Sequence, residues 1–183
     1  MSTRNNGFTL VELLVVTSII GVLASVVLTG LNDARKEAQY SRARVEIRAL
    51  SELVKFAKGT TGQTLPQMTN NFCTECYCRA PYYNGSVRDL PQTHVCFTSY
   101  YAVVNTLNQN TDGLMTLTTP PLDPWGAPYL INENEMEGGN CWYDNILSAG
   151  PNGYYYDTDD VNYNIRNTTC ANPIEPSPNT NWR

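Results

Sequence analysis

The sequence predicts an α+β fold in which one long N-terminal helix packs on a small antiparallel sheet. Three observations predict it. Residues 8–31 form an apolar run broken by a single charge, Glu12. Residues 32–58 contain no Pro or Gly and are rich in Ala, Arg, Glu, Lys and Leu, all good helix formers. Beyond Gly59 the chain changes to short segments punctuated by Pro, Gly and Asn, and all six cysteines lie there.

The first element is the apolar run. Its 24 residues, Phe8 to Leu31, would make a helix of roughly 36 Å at about 1.5 Å per residue, enough to span a bilayer. A cleaved secretory signal fits badly, because its apolar core is only about 7–15 residues and ends at a small-x-small site. A plain signal-anchor accounts for the length but not for Glu12. A carboxylate near the middle of a bilayer costs about 2.5–3.5 kcal/mol on the mild insertion scale.

The second element continues the first. Apolar residues recur at Leu31, Ala34, Ala38, Val45, Ala49, Leu53 and Ala57, a spacing of three to four that predicts one buried stripe. The helix is expected to run from Phe8 to Lys58, with Gly59 as its C′ residue. The head, residues 59–183, follows. Within it Val95–Val104 is aromatic and β-branched enough to read as a strand or short buried segment. TPPLDPWGAP (119–128) reads as a rigid turn cluster in which Trp125 plugs the core. Tyr129–Asn132 and Trp142–Leu147 read as short strands, AGPNGYYYDTDDV (149–161) as a loop, and NPIEPSPNTNWR (172–183) as a lightly ordered tail.

Charge and cysteines narrow the function classes. Residues 33–58 hold seven Lys/Arg against four Asp/Glu, a net of +3, while residues 59–183 hold four against twelve, a net of −8. An acidic head does not offer the clustered Lys/Arg that nucleic-acid binding needs, and it would suit a cation. Cys73, Cys76, Cys78, Cys96, Cys141 and Cys170 all follow the apolar run, which implies an oxidising compartment and disulfides of undetermined pairing. The rival is zinc, held by Cys73, Cys76, Cys78, His94 and Cys96. His94 is the only histidine. With no Ser/His/Asp order and no phosphate-cradling glycine loop, an enzyme is not expected. Asn84-Gly85-Ser86 and Asn167-Thr168-Thr169 match the glycosylation pattern, a motif common by chance.

A short polar leader ending in Gly7, then Phe8-Thr9-Leu10-Val11-Glu12 before an apolar helix, resembles the N-terminus of type IV pilins and their relatives in type II secretion. The resemblance implies that a prepilin peptidase removes residues 1–7, cutting between Gly7 and Phe8, and methylates the new N-terminus. It also gives Glu12 a task. The freed amine of Phe8 in one subunit can meet Glu12 of another, and removing one partner of a buried pair costs about 3–5 kcal/mol. The pair would pin subunit register. Many pilins carry a proline partway up this helix. Here the neighbourhood reads Val27-Leu28-Thr29-Gly30, and only Gly21 and Gly30 weaken the helix.

Residues 123–161, DPWGAPYLINENEMEGGNCWYDNILSAGPNGYYYDTDDV, resemble the major pseudopilin of type II secretion, whose loop after an LSxGPDG segment binds calcium. By resemblance the ligands here are the carbonyls of Leu147 and Gly150, the Asn152 amide, and Asp159 and Asp160. Asp157 is a spare acid. Asn152 stands where the family has Asp, which implies weaker affinity. Six to eight oxygens of this kind are what calcium takes.

The resemblance covers about residues 7–58 and 121–161, and implies the type IV pilin fold with a calcium loop and disulfides. It implies a structural subunit that polymerises through its N-terminal helix. The subunit would wait in the cytoplasmic membrane and end in an extracellular or cell-surface filament. Its partners would be copies of itself, minor pilins or pseudopilins, the prepilin peptidase and an assembly platform. Three readings follow: a major pilus subunit, a type II secretion pseudopilin acting as a piston, and a membrane-anchored calcium- or ligand-binding protein that never polymerises. The last gives Glu12 no task.

Overall fold

The computed structural model describes residues 7–70, 74–79, 83–113, 117–133, 141–154 and 157–166. It contains α1 (Leu10–Thr61), α2 (Leu65–Thr69), α3 (Thr74–Tyr77), a 3-10 turn (Val87–Asp89) and α4 (Val95–Gln109). The strands are β1 (Leu130–Asn132), β2 (Asp144–Ser148) and β3 (Val161–Ile165). The chain divides into two compact units, the first ending at Ala38 and the second starting at Gln39.

In the first unit the apolar side chains of α1 are uncovered. Leu10, Leu14, Ile20, Val26 and Leu28 are all more than half exposed, and Leu10 reaches 86%. A helix apolar on every side has no polar face to turn toward water. It is the one helix among the described residues long and apolar enough to cross a membrane.

In the second unit, α1 buries Ala43, Ile47, Leu50, Val54 and Ala57 against Tyr100, Val103, Val104 and Leu107 of α4 and against one face of the sheet. This stripe corrects the register expected from sequence. Leu53 and Ala57 are buried as expected, but Leu31, Ala34, Ala38 and Val45 are exposed and Ala49 is only partly covered. The helix is partly covered at Tyr40 and fully buried first at Ala43, and the buried face turns through Ile47 and Leu50 instead of Val45 and Ala49. The helix also passes Gly59 and ends at Thr61. Gly62, at φ +68°, is the left-handed residue that stops it, its N–H donating to the Lys58 carbonyl at 2.9 Å. Thr64 then caps α2 with a reciprocal capping box to Gln67.

Val95–Val104 is the second correction. It is not a strand but the front of a 15-residue helix. Its buried residues, Cys96, Phe97, Tyr100, Val103, Val104 and Leu107, follow the helical period rather than alternation. His94 caps it, with Nδ1 accepting the Cys96 N–H at 3.2 Å.

The sheet is antiparallel in the order β1-β2-β3, with Leu130 opposite Leu147 and Ile131 opposite Ile146. Alternation sends Ile131, Ile146, Val161 and Ile165 to the α1–α4 core. Leu130 and Leu147 go to a second cluster with Cys78, Val87, Cys96, Ala127 and Ala149. The sheet is therefore buried on both faces. β3 lies where the sequence reading saw the end of a loop, although Val-Asn-Tyr-Asn-Ile alternates cleanly.

Cys78 and Cys96 form a disulfide with Cα atoms 5.0 Å apart, which excludes both thiolates from the zinc alternative. Cys76 and Cys141 are also disulfide-bonded. Cys73, Cys170, Asn167 and the tail at 172–183 lie outside the described residues.

Candidate functional site

Two places bring together the residues singled out by sequence. The first is the start of α1. Thr9 is the N-cap of α1, and Glu12 is its third helical residue. The Thr9 N–H and hydroxyl both donate to Glu12 Oε2, at 2.9 and 2.8 Å, and the Thr9 oxygen takes the Glu12 N–H at 3.3 Å. This is a capping box, which satisfies orphan amides at the helix start. The sequence reading missed it, although Thr-x-x-Glu before an apolar run is its signature. Phe8, next to the cap, is 85% exposed. Glu12 therefore carries polar partners of its own. Oε2 takes both Thr9 bonds, and Oε1 takes no hydrogen bond among the described residues.

The second place is the loop between β2 and β3. Asp157, Asp159 and Asp160 each bring a carboxylate oxygen within 4.8 Å of the others. Asp157, expected as an outlying acid, is thus inside the cluster. Asp160 Oδ2 accepts the Asp157 N–H at 3.3 Å, and Asp157 Oδ1 accepts the Asp159 N–H at 3.2 Å. Partial burial, together with proton sharing and repulsion from Asp157, pushes the Asp159 carboxyl up to about 6. Asp157 is partly desolvated as well, but hydrogen bonds from Asp159 and Asn152 outweigh this and hold it low. Carboxylates crowded at this range disfavour one another's charged form. Asp159 Oδ1 is buried and takes no hydrogen bond.

The other expected ligands lie around this cluster. Asn152 donates through its amide nitrogen to Asp157, and its oxygen accepts the Tyr154 N–H at 2.7 Å in an Asx turn. The Gly150 carbonyl accepts the Gly153 N–H at 3.3 Å. Gly150 has φ +61°, and a Cβ there would lie 2.5 Å from the Asp159 carbonyl oxygen, so only glycine lets the loop fold back on itself. Leu147 is buried in β2, in register with Leu130 and Asn162. The far end of the loop is clamped by the 3-10 turn. Val87 N–H donates to Gly153 O at 2.8 Å, and the Arg88 guanidinium donates to the Pro151 carbonyl.

The DPWG segment beside the loop forms the turn expected of it. The Gly126 N–H closes it on the Asp123 carbonyl at 2.9 Å. Trp125 packs at the core edge, its ring centroid 5.1 Å from that of Tyr40. Tyr154 is 52% exposed, whereas Tyr155 and Tyr156 lie outside the described residues.

The comparisons with known proteins address both ends of the chain. Residues 2–28 match the model of the prokaryotic N-terminal methylation motif. Across its length the chain is similar to proteins named type II secretion system core protein G. The protein of Dickeya chrysanthemi is 29% identical over 174 residues, which is 91% of this chain and 92% of the relative. That of Escherichia coli K12 is 32% identical over 158 residues, 86% of this chain and 90% of the relative. That of Klebsiella pneumoniae is 27% identical over 164 residues, 86% and 93%. No solved structure matches. An apolar helix behind a methylation motif is a membrane anchor before assembly. With such similarity over most of its length, the chain belongs to the type II secretion system core protein G family of the type IV pilin superfamily and is a pseudopilin-type structural subunit.

Proposed function

We propose that this subunit builds a short secretion filament, with the apolar half of α1 as its polymerising element. The observation that carries this is the uncovered apolar surface from Phe8 to Leu28, broken only by the capped Glu12. Processing between Gly7 and Phe8 leaves an amine one residue before the Thr9 cap. Glu12 Oε1 of one subunit then accepts the Phe8 ammonium of another, and neighbouring helices replace lipid around both. The processing enzyme is a prepilin peptidase. The partners are further copies, minor pseudopilins and an assembly platform in the cytoplasmic membrane. The names of the relatives favour a secretion piston over a long cell-surface pilus.

Calcium belongs to the same reading. The donor set of the β2–β3 loop is all oxygen, with three carboxylates crowded together and one buried oxygen lacking a hydrogen bond, which fits a hard cation. Asp157, Asp159 and Asp160 would hold it, with Asn152 and the carbonyls of Leu147 and Gly150 completing the shell. Bound calcium would supply the positive charge that the crowded acids otherwise obtain from a proton.

Glu12→Ala tests the assembly step. Sheared or secreted filaments should fall by about 100-fold or more, the equivalent of about 3–5 kcal/mol, while N-terminal mass still shows cleavage after Gly7. Wild-type filament yield in the variant would refute the pairing. Chelation tests the metal. EDTA should lower the thermal midpoint of the detergent-solubilised chain, and re-added calcium should restore it. An unmoved midpoint removes calcium from the account.

A further inference from the structure

The acid cluster rests on a support that lies outside it. Ser148, the last residue of β2, is fully buried. Its hydroxyl donates to Asp123 Oδ2 at 2.7 Å, and the same oxygen accepts the Gly150 N–H at 3.3 Å. Asp123 is in turn fixed by its own turn, since Oδ1 accepts the N–H groups of Trp125 and Ala127 at 3.0 and 2.8 Å. Because Asp123 takes the hydroxyl proton, the Ser148 lone pair is left facing Gly150. Gly150 then folds against the backbone of Asp159. A continuous path thus runs from the DPWG turn, through one carboxylate and one hydroxyl, into the loop.

The choice of residue adds to this. Asp123 is 3% exposed, and burying a carboxylate is costly. A neutral Asn could accept both turn amides through its one carbonyl oxygen. The second oxygen of the carboxylate is needed only by Ser148. The charge therefore answers to the loop rather than to the turn.

We infer that Asp123, acting through Ser148, is a positioning residue for the cation loop, holding Gly150 in the left-handed conformation that seats it against the backbone of Asp159. This rests on the calcium reading of that loop. Without the hydroxyl, the Gly150 N–H loses its acceptor and the Gly150 end of the loop is released, while the acids themselves are untouched.

The test uses the full chain in detergent, titrated with calcium by calorimetry. Ser148→Ala and Asp123→Asn should each raise the Kd about tenfold. The double variant should be no worse than the more affected single one, since both interrupt the same path. Calcium affinity within twofold of wild type in both variants, whatever their thermal midpoints, would overturn the inference and leave Asp123 a turn residue. If Ser148→Ala does not fold, Asp123→Asn, which keeps the Oδ1 acceptor, decides alone. Amide exchange on the wild type in EDTA separates the two readings. A protected Gly150 N–H is expected even if the protein binds no calcium, and fast exchange there would refute the relay itself.

Discussion

The two halves of α1 belong to one continuous helix and meet opposite fates. From Leu10 to Leu28 every large apolar side chain is exposed, whereas from Ala43 to Ala57 a narrow stripe is sealed within the head. The second half is held by α4 and the sheet of its own chain. The large apolar side chains of the first half are exposed, and this half is the membrane anchor. One secondary structure thus carries two energetic roles, and the difference lies in what covers it rather than in helix propensity. The front half is apolar all round, as suits a membrane anchor, and the rear half is amphipathic because α4 and the sheet cover one side of it.

Substitutions can break this contrast or sharpen it. The largest effect on the monomer is expected in the sealed stripe. Leu50→Ala should destabilise the head by about 2–5 kcal/mol in urea unfolding, the range for truncating a buried leucine. Leu13→Ala, on the uncovered half, should leave that transition in place. If both shift it equally, the two halves are not independently covered.

A smaller effect is expected where the head buries an acid. Glu133 is 6% exposed, accepts the Thr69 hydroxyl at 3.2 Å and leaves Oε2 without a hydrogen bond. Burial pushes its carboxyl up to about 8, with the nearby Asp144 and Glu75 adding to the shift. The folded form therefore keeps a proton that the unfolded chain releases near pH 4.5. Its contribution is fully present below that value, declines as pH rises, and is lost by about pH 8. Glu133→Gln should flatten this decline and raise the midpoint at pH 8 by roughly 5 °C, on the usual conversion of a kcal/mol or two. An unchanged pH profile would show that Glu133 is ionised in the folded state. The smallest effect is expected at Val45, which is 63% exposed on the outer face of the same helix. Val45→Ser should move head stability by no more than about 0.5 kcal/mol. A larger loss would mean that the outer face is covered.

The sequence revealed the parts of the fold that repeat a period or carry a rigid turn. The apolar run, the absence of Pro and Gly over residues 32–58, and DPWG ahead of two short strands all follow from local chemistry. Val95–Val104, which reads from its composition as a strand or a short buried segment, is buried but as a helix. Its aromatics and valines suit a strand, yet their spacing is helical, and the His94 cap and the Cys78–Cys96 bond hold it so. β3 begins at Val161, the last residue of the expected loop, and runs through residues for which no element was expected despite their alternation. At the site, the acids and the glycine were legible. The membership of Asp157 was not, because it depends on the local turn in which Asp160 accepts the Asp157 N–H and Asp157 accepts the Asp159 N–H. The contact between Ser148 and Asp123 joins residues 25 apart and has no local signature. The Thr9–Glu12 box was readable and overlooked, because the acid was considered only as a charge in lipid.

That box changes what the acid's journey requires. Thr9 moves with Glu12 as one rigid helical turn, so the carboxylate is never a bare ion while the subunit waits. On the pairing proposed above, Oε2 keeps its two Thr9 bonds and Oε1 is the atom left for an incoming ammonium, so the acid gains a partner without giving up those it has.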